Sequence, residues 1–364
     1  MAQDTTESPP ERQTARTVGL GGLSSPSAHL CLDVERFLTE ELGLAPGMRW
    51  LLAVSGGADS TALAVVATVL APRLRLDLHA VHIDHGLRPE SGEDARHAAT
   101  CCENLGIPCI VLQADVAGLA GREGIGIEAA GRELRYDILG RERERLGADF
   151  MVLGHHAGDL TEDVFLRLLR GAGWPALGGM PARDAGRNLL RPLLFQSPER
   201  LRTFLEDIRV PWREDGSNAD PAFTRNRVRH RILPLCREEN PALDRAMGTL
   251  HRLAELDGEY FEGVLSDLLA AHPWTEGPGS IRLSWESLRA VHPALRLRLY
   301  MAALNRLGGE GQARGRTLLG LDRAVDARRH GCHQLPGETC AWVDRDGVTF
   351  RLGEKDAGGL ASGV

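Results

Sequence analysis

Arg49-Trp50-Leu51-Leu52-Ala53-Val54, running into Ser55-Gly56-Gly57-Ala58-Asp59-Ser60, is the stretch on which the reading of this chain turns. A short apolar run that ends at a Gly-Gly pair predicts a buried strand closing in a tight turn. Residues 59–71 are almost wholly apolar, and Asp59 and Ser60 suit a helix start. Two glycines let the backbone take positive φ and come close to a ligand. The N–H groups of the turn and of the first helical turn then converge unpaired, and with the helix dipole they make an anion site. Ser55, Gly56, Gly57, Ala58, Asp59 and Ser60 are therefore candidate ATP-phosphate residues. A carboxylate beside phosphate is repulsive unless a cation bridges the two, so Asp59 implies Mg²⁺ held through the phosphates. A plain glycine turn with an aspartate cap is the simpler alternative. The strand before, the helix after and the flanking serines weigh against it.

Outward from this loop, strand and helix alternate. Strands are expected at Leu76–Ile83, Ile107–Leu112 and Phe150–Gly154, with helices at about 89–106, 128–146 and 158–170. That alternation predicts an α/β fold, a doubly wound, Rossmann-like parallel sheet with crossover helices. Residues 171–186 form a Gly/Pro/Ala-rich loop, after which helical patterns take over at 197–208, 223–237 and 241–269. Two more helices are expected in 284–330 and short strands in 331–353, giving a mostly helical appendage with a small C-terminal α+β part. The expected organisation is a disordered tail at 1–28, a catalytic domain at 29–240, a second domain at 241–353 and a disordered tail at 354–364.

Composition narrows the function. The chain has 364 residues and a net charge of −7, which excludes a globally basic nucleic-acid coat but allows a local basic patch. Its one lysine, Lys355, lies in a glycine-rich tail, so lysyl covalent chemistry and a lysine-bearing phosphate loop are excluded. A lysine-free loop fits one that grips pyrophosphate. The seven cysteines form no C-x-x-C pair and read as free thiols of a reducing, cytoplasmic setting. No apolar run approaches the roughly 18–20 residues of a membrane span.

Three further segments carry candidate chemistry. His82, Asp84, His85 and Arg88 follow the second strand, and ligands of such sheets sit beyond strand C-termini. Strand-end capping is the competing role, above all for His82. Glu128, Arg132 and Arg135 share one helix face, either as a solvated charged face or as a ligand contact. Asp159 and Glu162 follow the fourth strand three residues apart, a pairing suited to Mg²⁺ or to the ammonium groups of an amino acid. First-turn acids that complement the helix dipole are the competing account. Finally, Arg225, Arg227, Arg229 and Arg231 stand within seven residues with no acid between them, a local polyanion patch in an acidic chain.

The Ser55–Ser60 loop resembles the signature of the PP-loop group, the N-type ATP pyrophosphatases. The segments at 82–91, 128–136, 155–163 and 212–231 are similar to those of the tRNA(Ile)-lysidine synthetase family within it. The resemblance covers about residues 48–245. It departs from the family's H-H-x-D-D-Q-x-E-T stretch at Gly158, Leu160 and Asp163. The resemblance implies an ATP-dependent ligation of L-lysine to C2 of the wobble cytidine of a tRNA(Ile) with a CAU anticodon, switching its reading from AUG to AUA. The reaction would pass through an adenylated tRNA. It further implies that Asp59, Arg132, Asp159 and Glu162 are catalytic, and that His82, Asp84 and His85 join the ATP site. Arg88 and the four clustered arginines would meet tRNA, and a second copy of the chain would be a partner. A 2-thiolating enzyme would call for a C-x-x-C sulfur relay, and NAD- or GMP-type synthetases lack the 225–231 segment. A non-catalytic tRNA-binding paralogue is the alternative that Gly158 and Leu160 raise.

Overall fold

The computed structural model describes residues 19–86, 91–213, 224–289, 291–308, 315–335 and 339–352. The chain separates into two units, one of residues up to 163 together with 180–248, the other of 164–179 together with 249 onward. The sequence reading put the divide at 240. The two compact units divide at Gly248, within the helix that begins at Leu243.

The first unit opens with α1 (Ser25–Arg36), capped by the Ser24 hydroxyl. Residues 19–28, expected as tail, thus hold a 3₁₀ turn and the first turn of a helix. The Ser24 and Ser27 hydroxyls tie that helix start to Asp207 at 2.5 Å each. There follow β1 (Arg49–Ala53), α2 (Ala58–Leu74), β2 (Asp77–Asp84), α3 (Ser91–Leu105), β3 (Cys109–Gln113), α4 (Val116–Glu123), α5 (Ile127–Leu146), β4 (Phe150–Val152) and α6 (Ala157–Arg170). The short β5 (Arg183–Asp184) and β6 (Leu189–Leu190) precede α7 (Pro198–Asp207), α8 (Thr224–Arg227), a π-turn at Val228–Ile232 and α9 (Leu233–Glu239). Helix α4 is absent from the sequence reading, since Gly118 and Gly121 dilute its pattern; Asp115 caps it.

The sheet order is β3-β2-β1-β4-β6-β5, parallel except for the β5–β6 pair. Both faces of β1 are covered, which is why it reads as a continuous apolar run. Trp50, Leu52 and Val54 pack with α1, α2, α3 and α7, while Leu51 packs with Leu139 of α5 and Met151 of β4. Because β2 and β4 flank β1, the crossovers diverge there, and a crevice opens beyond the C-termini of β1 and β4.

In the second unit, α10 (Leu243–Ala271), whose first turns belong to the first unit, leads to β7 (Thr275–Gly277), β8 (Ser280–Ser284), α11 (Trp285–Arg289), α12 (Pro293–Arg306) and α13 (Gly315–Asp326). Then come β9 (Gly331–Leu335), β10 (Thr339–Val343) and β11 (Gly347–Leu352). Its antiparallel sheet, β7-β8-β11-β10-β9, packs Ile281, Leu283 and Phe350 against Leu299, Tyr300 and Leu321. No helix among the described residues is long and apolar enough to cross a membrane.

Candidate active site

The turn after β1 is locked from within. The Ser60 hydroxyl accepts from the Ser55 N–H (3.1 Å), lies 3.0 Å from the Ser55 hydroxyl and donates to the Gly57 carbonyl (3.1 Å). The two serines therefore shape the loop. Gly56 sits at φ +89, a left-handed conformation that disfavours any side chain. Its carbonyl accepts the Arg213 N–H at 3.0 Å. Gly57 caps α2 with no side-chain hydrogen bond, so no cap side chain takes the first-turn N–H groups an anion site needs, while the Gly57 N–H itself donates to the Ser55 hydroxyl (3.4 Å). Gly154, at the end of β4, lets that strand approach the loop: a Cβ there would stand 2.8 Å from the Asp59 carbonyl oxygen.

A cleft of about 340 Å³ opens over the loop. Ser55, Gly57, Ala58, Asp59 and Ser60 form one wall, His156, Gly158 and Glu162 another. Arg202, Arg213, Arg229 and Arg237 bring positive charge to it. Arg213 also pairs with Asp94 (2.8 Å), and Arg237 with Asp244 (3.0 Å). The Asp59 side chain is 44% exposed here, with its Oδ2 3.5 Å from His156 Nε2.

His156 and Asp159 form a reciprocal cap at the start of α6. The His156 N–H donates to Asp159 Oδ2 (3.1 Å), and the Asp159 N–H donates to His156 Nδ1 (3.3 Å). First-turn capping and a site role thus coincide in Asp159. Burial alone would raise its carboxyl, but His156, His155 and Arg225 outweigh burial and hold it below the usual carboxylate range. The His156 imidazole is raised: burial opposes its charge, and the Asp59 hydrogen bond with the charges of Asp159, Asp59 and Glu162 overrides that.

Two of the four clustered arginines turn inward. Arg225 donates from Nε to Glu162 (2.9 Å) and from Nη2 to Asp159 (3.2 Å). Arg229 donates from Nε to Glu162, from Nη2 to Glu162 (3.0 Å) and from Nη2 to Asp159 (3.3 Å). Of the four arginines expected to form a polyanion patch, these two are engaged by the α6 carboxylates. Positions 225 and 229 share one face of the α8–π segment, and that face meets the buried carboxylates of α6. Burial disfavours the Arg225 charge, yet Glu162 and Asp159 more than restore it. Arg231 is exposed, and Arg227 donates to the Thr224 hydroxyl (2.9 Å).

The remaining sequence candidates lie apart from the cleft lining. His82 is buried, with its Nδ1 2.9 Å from the Val54 carbonyl at the base of the loop, a bracing role. Asp84 accepts the Gly86 N–H (2.9 Å) and so closes its own turn. Burial, then Arg135 and His82, hold the His85 imidazole below its ordinary range. Arg132 is exposed on α5, its guanidinium 5.2 Å from the Tyr136 ring centre. Arg88 lies outside the described residues. Sequence reasoning passed over Arg202, Arg213 and Arg237, for which only Arg213, beside a recognisable motif, offered a signal. It also passed over Arg191, which is buried and donates to His155 Nδ1 at 3.0 Å. Among the described residues no group of three or more His, Cys, Asp or Glu could cage a metal. A lone Asp59 beside bound phosphates is the donor set Mg²⁺ commonly takes.

This loop at the switch point of a parallel sheet defines a PP-loop nucleotide-binding protein, and a family model described as the PP-loop domain matches residues 29–236. A tRNA(Ile)-lysidine synthase from Nitratidesulfovibrio vulgaris is 44% identical over 319 residues, which cover 83% of this chain and 92% of that one. Another, from Geobacter sulfurreducens, is 36% identical over 284 residues, 77% of this chain and 59% of its own length. The chain belongs to the tRNA(Ile)-lysidine synthase family. Among solved structures, the U34-tRNA thiolase NcsA from Methanococcus maripaludis shares the fold, with a TM-score of 0.54 at 17% identity over 62% of this chain and 78% of that one. The protein is thus a ligase with an ATP-binding PP-loop domain, acting on tRNA.

Proposed function

We propose that this protein joins L-lysine to C2 of the wobble cytidine of a CAU-anticodon tRNA(Ile), by way of a tRNA adenylated on O2. The observation that carries this reading is that the glycine loop and Glu162 line one cleft, and that His156 stands between Asp59 of the loop (3.5 Å) and Asp159 beside Glu162 (3.6 Å). The N–H groups of Gly57 to Ser60 would receive the pyrophosphate half of ATP. Arg202, Arg213 and Arg237 would neutralise phosphate charge as the α-phosphorus is attacked. Asp59 would hold Mg²⁺, which supplies charge neutralisation between phosphate oxygens when bound. Glu162 and Asp159 would take the lysine ammonium groups, sharing or exchanging the contacts that Arg225 and Arg229 make. The target base lies in an anticodon loop, so no duplex need open.

The non-catalytic alternative rests on two departures, at Gly158 and Leu160. Leu160 has no exposed surface and does not line the cleft, whereas Gly158 does. The test is mass analysis of nucleosides from a CAU-anticodon tRNA(Ile) incubated with the protein, ATP and isotope-labelled lysine. A labelled cytidine–lysine adduct that depends on ATP and on the tRNA is expected. AMP release without tRNA, or no labelled adduct with any tRNA, would overturn the assignment.

A further inference from the structure

Gly158 sits at the second position of α6, one residue before Asp159, and lines the cleft. A Cβ added there would meet His156 Cε1 at 2.9 Å and Nδ1 at 3.2 Å. Its φ is not left-handed, so the backbone itself tolerates a side chain. The only obstacle is the His156 ring, and that ring is held on three sides. Nδ1 accepts the Asp159 N–H, so Nε2 carries the ring hydrogen. Nε2 in turn faces Asp59 Oδ2 at 3.5 Å and Asp159 Oδ2 at 3.6 Å. The imidazole therefore occupies the space a side chain at 158 would need, and from there it spans the gap between the acid of the phosphate loop and the acid of α6.

We infer that His156 is a positioning residue that sets the Asp59 carboxylate for its role at the phosphates, and that Gly158 exists in this chain to give the ring that place. The two residues form one device: a side chain at 158 and the bridging ring exclude each other. The departure at 158 is then a rearrangement of the site, with an imidazole bridge in place of a third carboxylate. This inference rests on the nucleotide-site reading above but not on the identity of the amino acid or of the tRNA.

The test is a double-mutant cycle read by binding alone, using full-length protein and adenylyl imidodiphosphate, with Mg²⁺ or with EDTA, and neither tRNA nor lysine. The Nε2–Oδ2 separation of 3.5 Å is that of a weak polar contact, so His156→Ala is expected to weaken Mg²⁺-dependent binding roughly threefold to tenfold. His156→Gln, which keeps an N–H near the same place, recovers most of that. Gly158→Ala gives a loss similar to His156→Ala with an unchanged or raised melting temperature, because alanine favours the helix. The double variant His156→Ala/Gly158→Ala is no worse than His156→Ala, since the two changes remove one interaction. Wild-type binding by Gly158→Ala, additive losses in the double variant, or equal losses with EDTA would each overturn the inference. Should His156→Ala lose its cooperative melt, Gly158→Ala and His156→Gln make the same comparison. Nucleoside analysis separates the readings: a failed cycle with lysidine still formed sinks only the His156–Gly158 pairing.

Discussion

Asp59→Asn is expected to cut lysidine formation by about 10²–10³-fold, the size of losing one preorganised group that stabilises transition-state charge, with little change in stability. The side chain is 44% exposed and the replacement is isosteric, so the fold loses only the weak His156 contact. The direction of the effect discriminates between accounts. If Asp59 meets the phosphates through Mg²⁺, removing its charge weakens nucleotide binding and slows turnover. If it were only a helix-capping residue beside an anion, removing a negative charge would tighten nucleotide binding and leave turnover intact. Initial rates of pyrophosphate release with CAU-anticodon tRNA, at several Mg²⁺ concentrations, decide the matter. Asp59→Asn should demand more Mg²⁺ and still fall short of the wild-type rate.

Glu162→Ala carries the second large effect, and it falls on the fold as well as on the reaction. The Glu162 side chain is 4% exposed and accepts from both Arg225 and Arg229. Its loss leaves two guanidinium groups facing one carboxylate, Asp159. Breaking a fully buried pair costs about 3–5 kcal/mol; here the arginines keep about three-tenths of their exposure, so a cost of about 2–3 kcal/mol is expected. Urea unfolding should show a lower midpoint with an unchanged slope. Removing Arg229 together with Glu162 should return part of the loss, because the two act as a unit. An unfolding midpoint within error of wild type would show that the ion pairs of Glu162 with Arg225 and Arg229 contribute nothing to stability.

What could be read from the sequence was whatever a local pattern encodes. The apolar run 49–54 and the glycine turn behind it specify a buried strand and an anion loop within a dozen residues, and strand–helix alternation specifies the parallel sheet. Helix α4 escaped because glycines at 118 and 121 erase its periodicity. The arginine cluster shows where local reading stops. Density of charge at 225–231 is visible in the sequence, but its facing is not. The partners of Arg225 and Arg229 lie more than sixty positions earlier in the chain, and only the fold brings them together. Gly158 and Leu160 make the same point in opposite directions. Both departures look alike as letters, yet Leu160 lies in the packing and Gly158 lies in the cleft beside a ring that needs its space. Arg202 and Arg237 reach the cleft from α7 and α9, elements whose sequences carry no mark of a phosphate site.

The most direct test of the central claim is a crystal structure of the protein with adenylyl imidodiphosphate and Mg²⁺. The account requires the β- and γ-phosphates to lie against the main-chain amides between Gly56 and Ser60, with the metal shared between those phosphates and Asp59. Triphosphate density anywhere else, or a metal bound without Asp59, would contradict it.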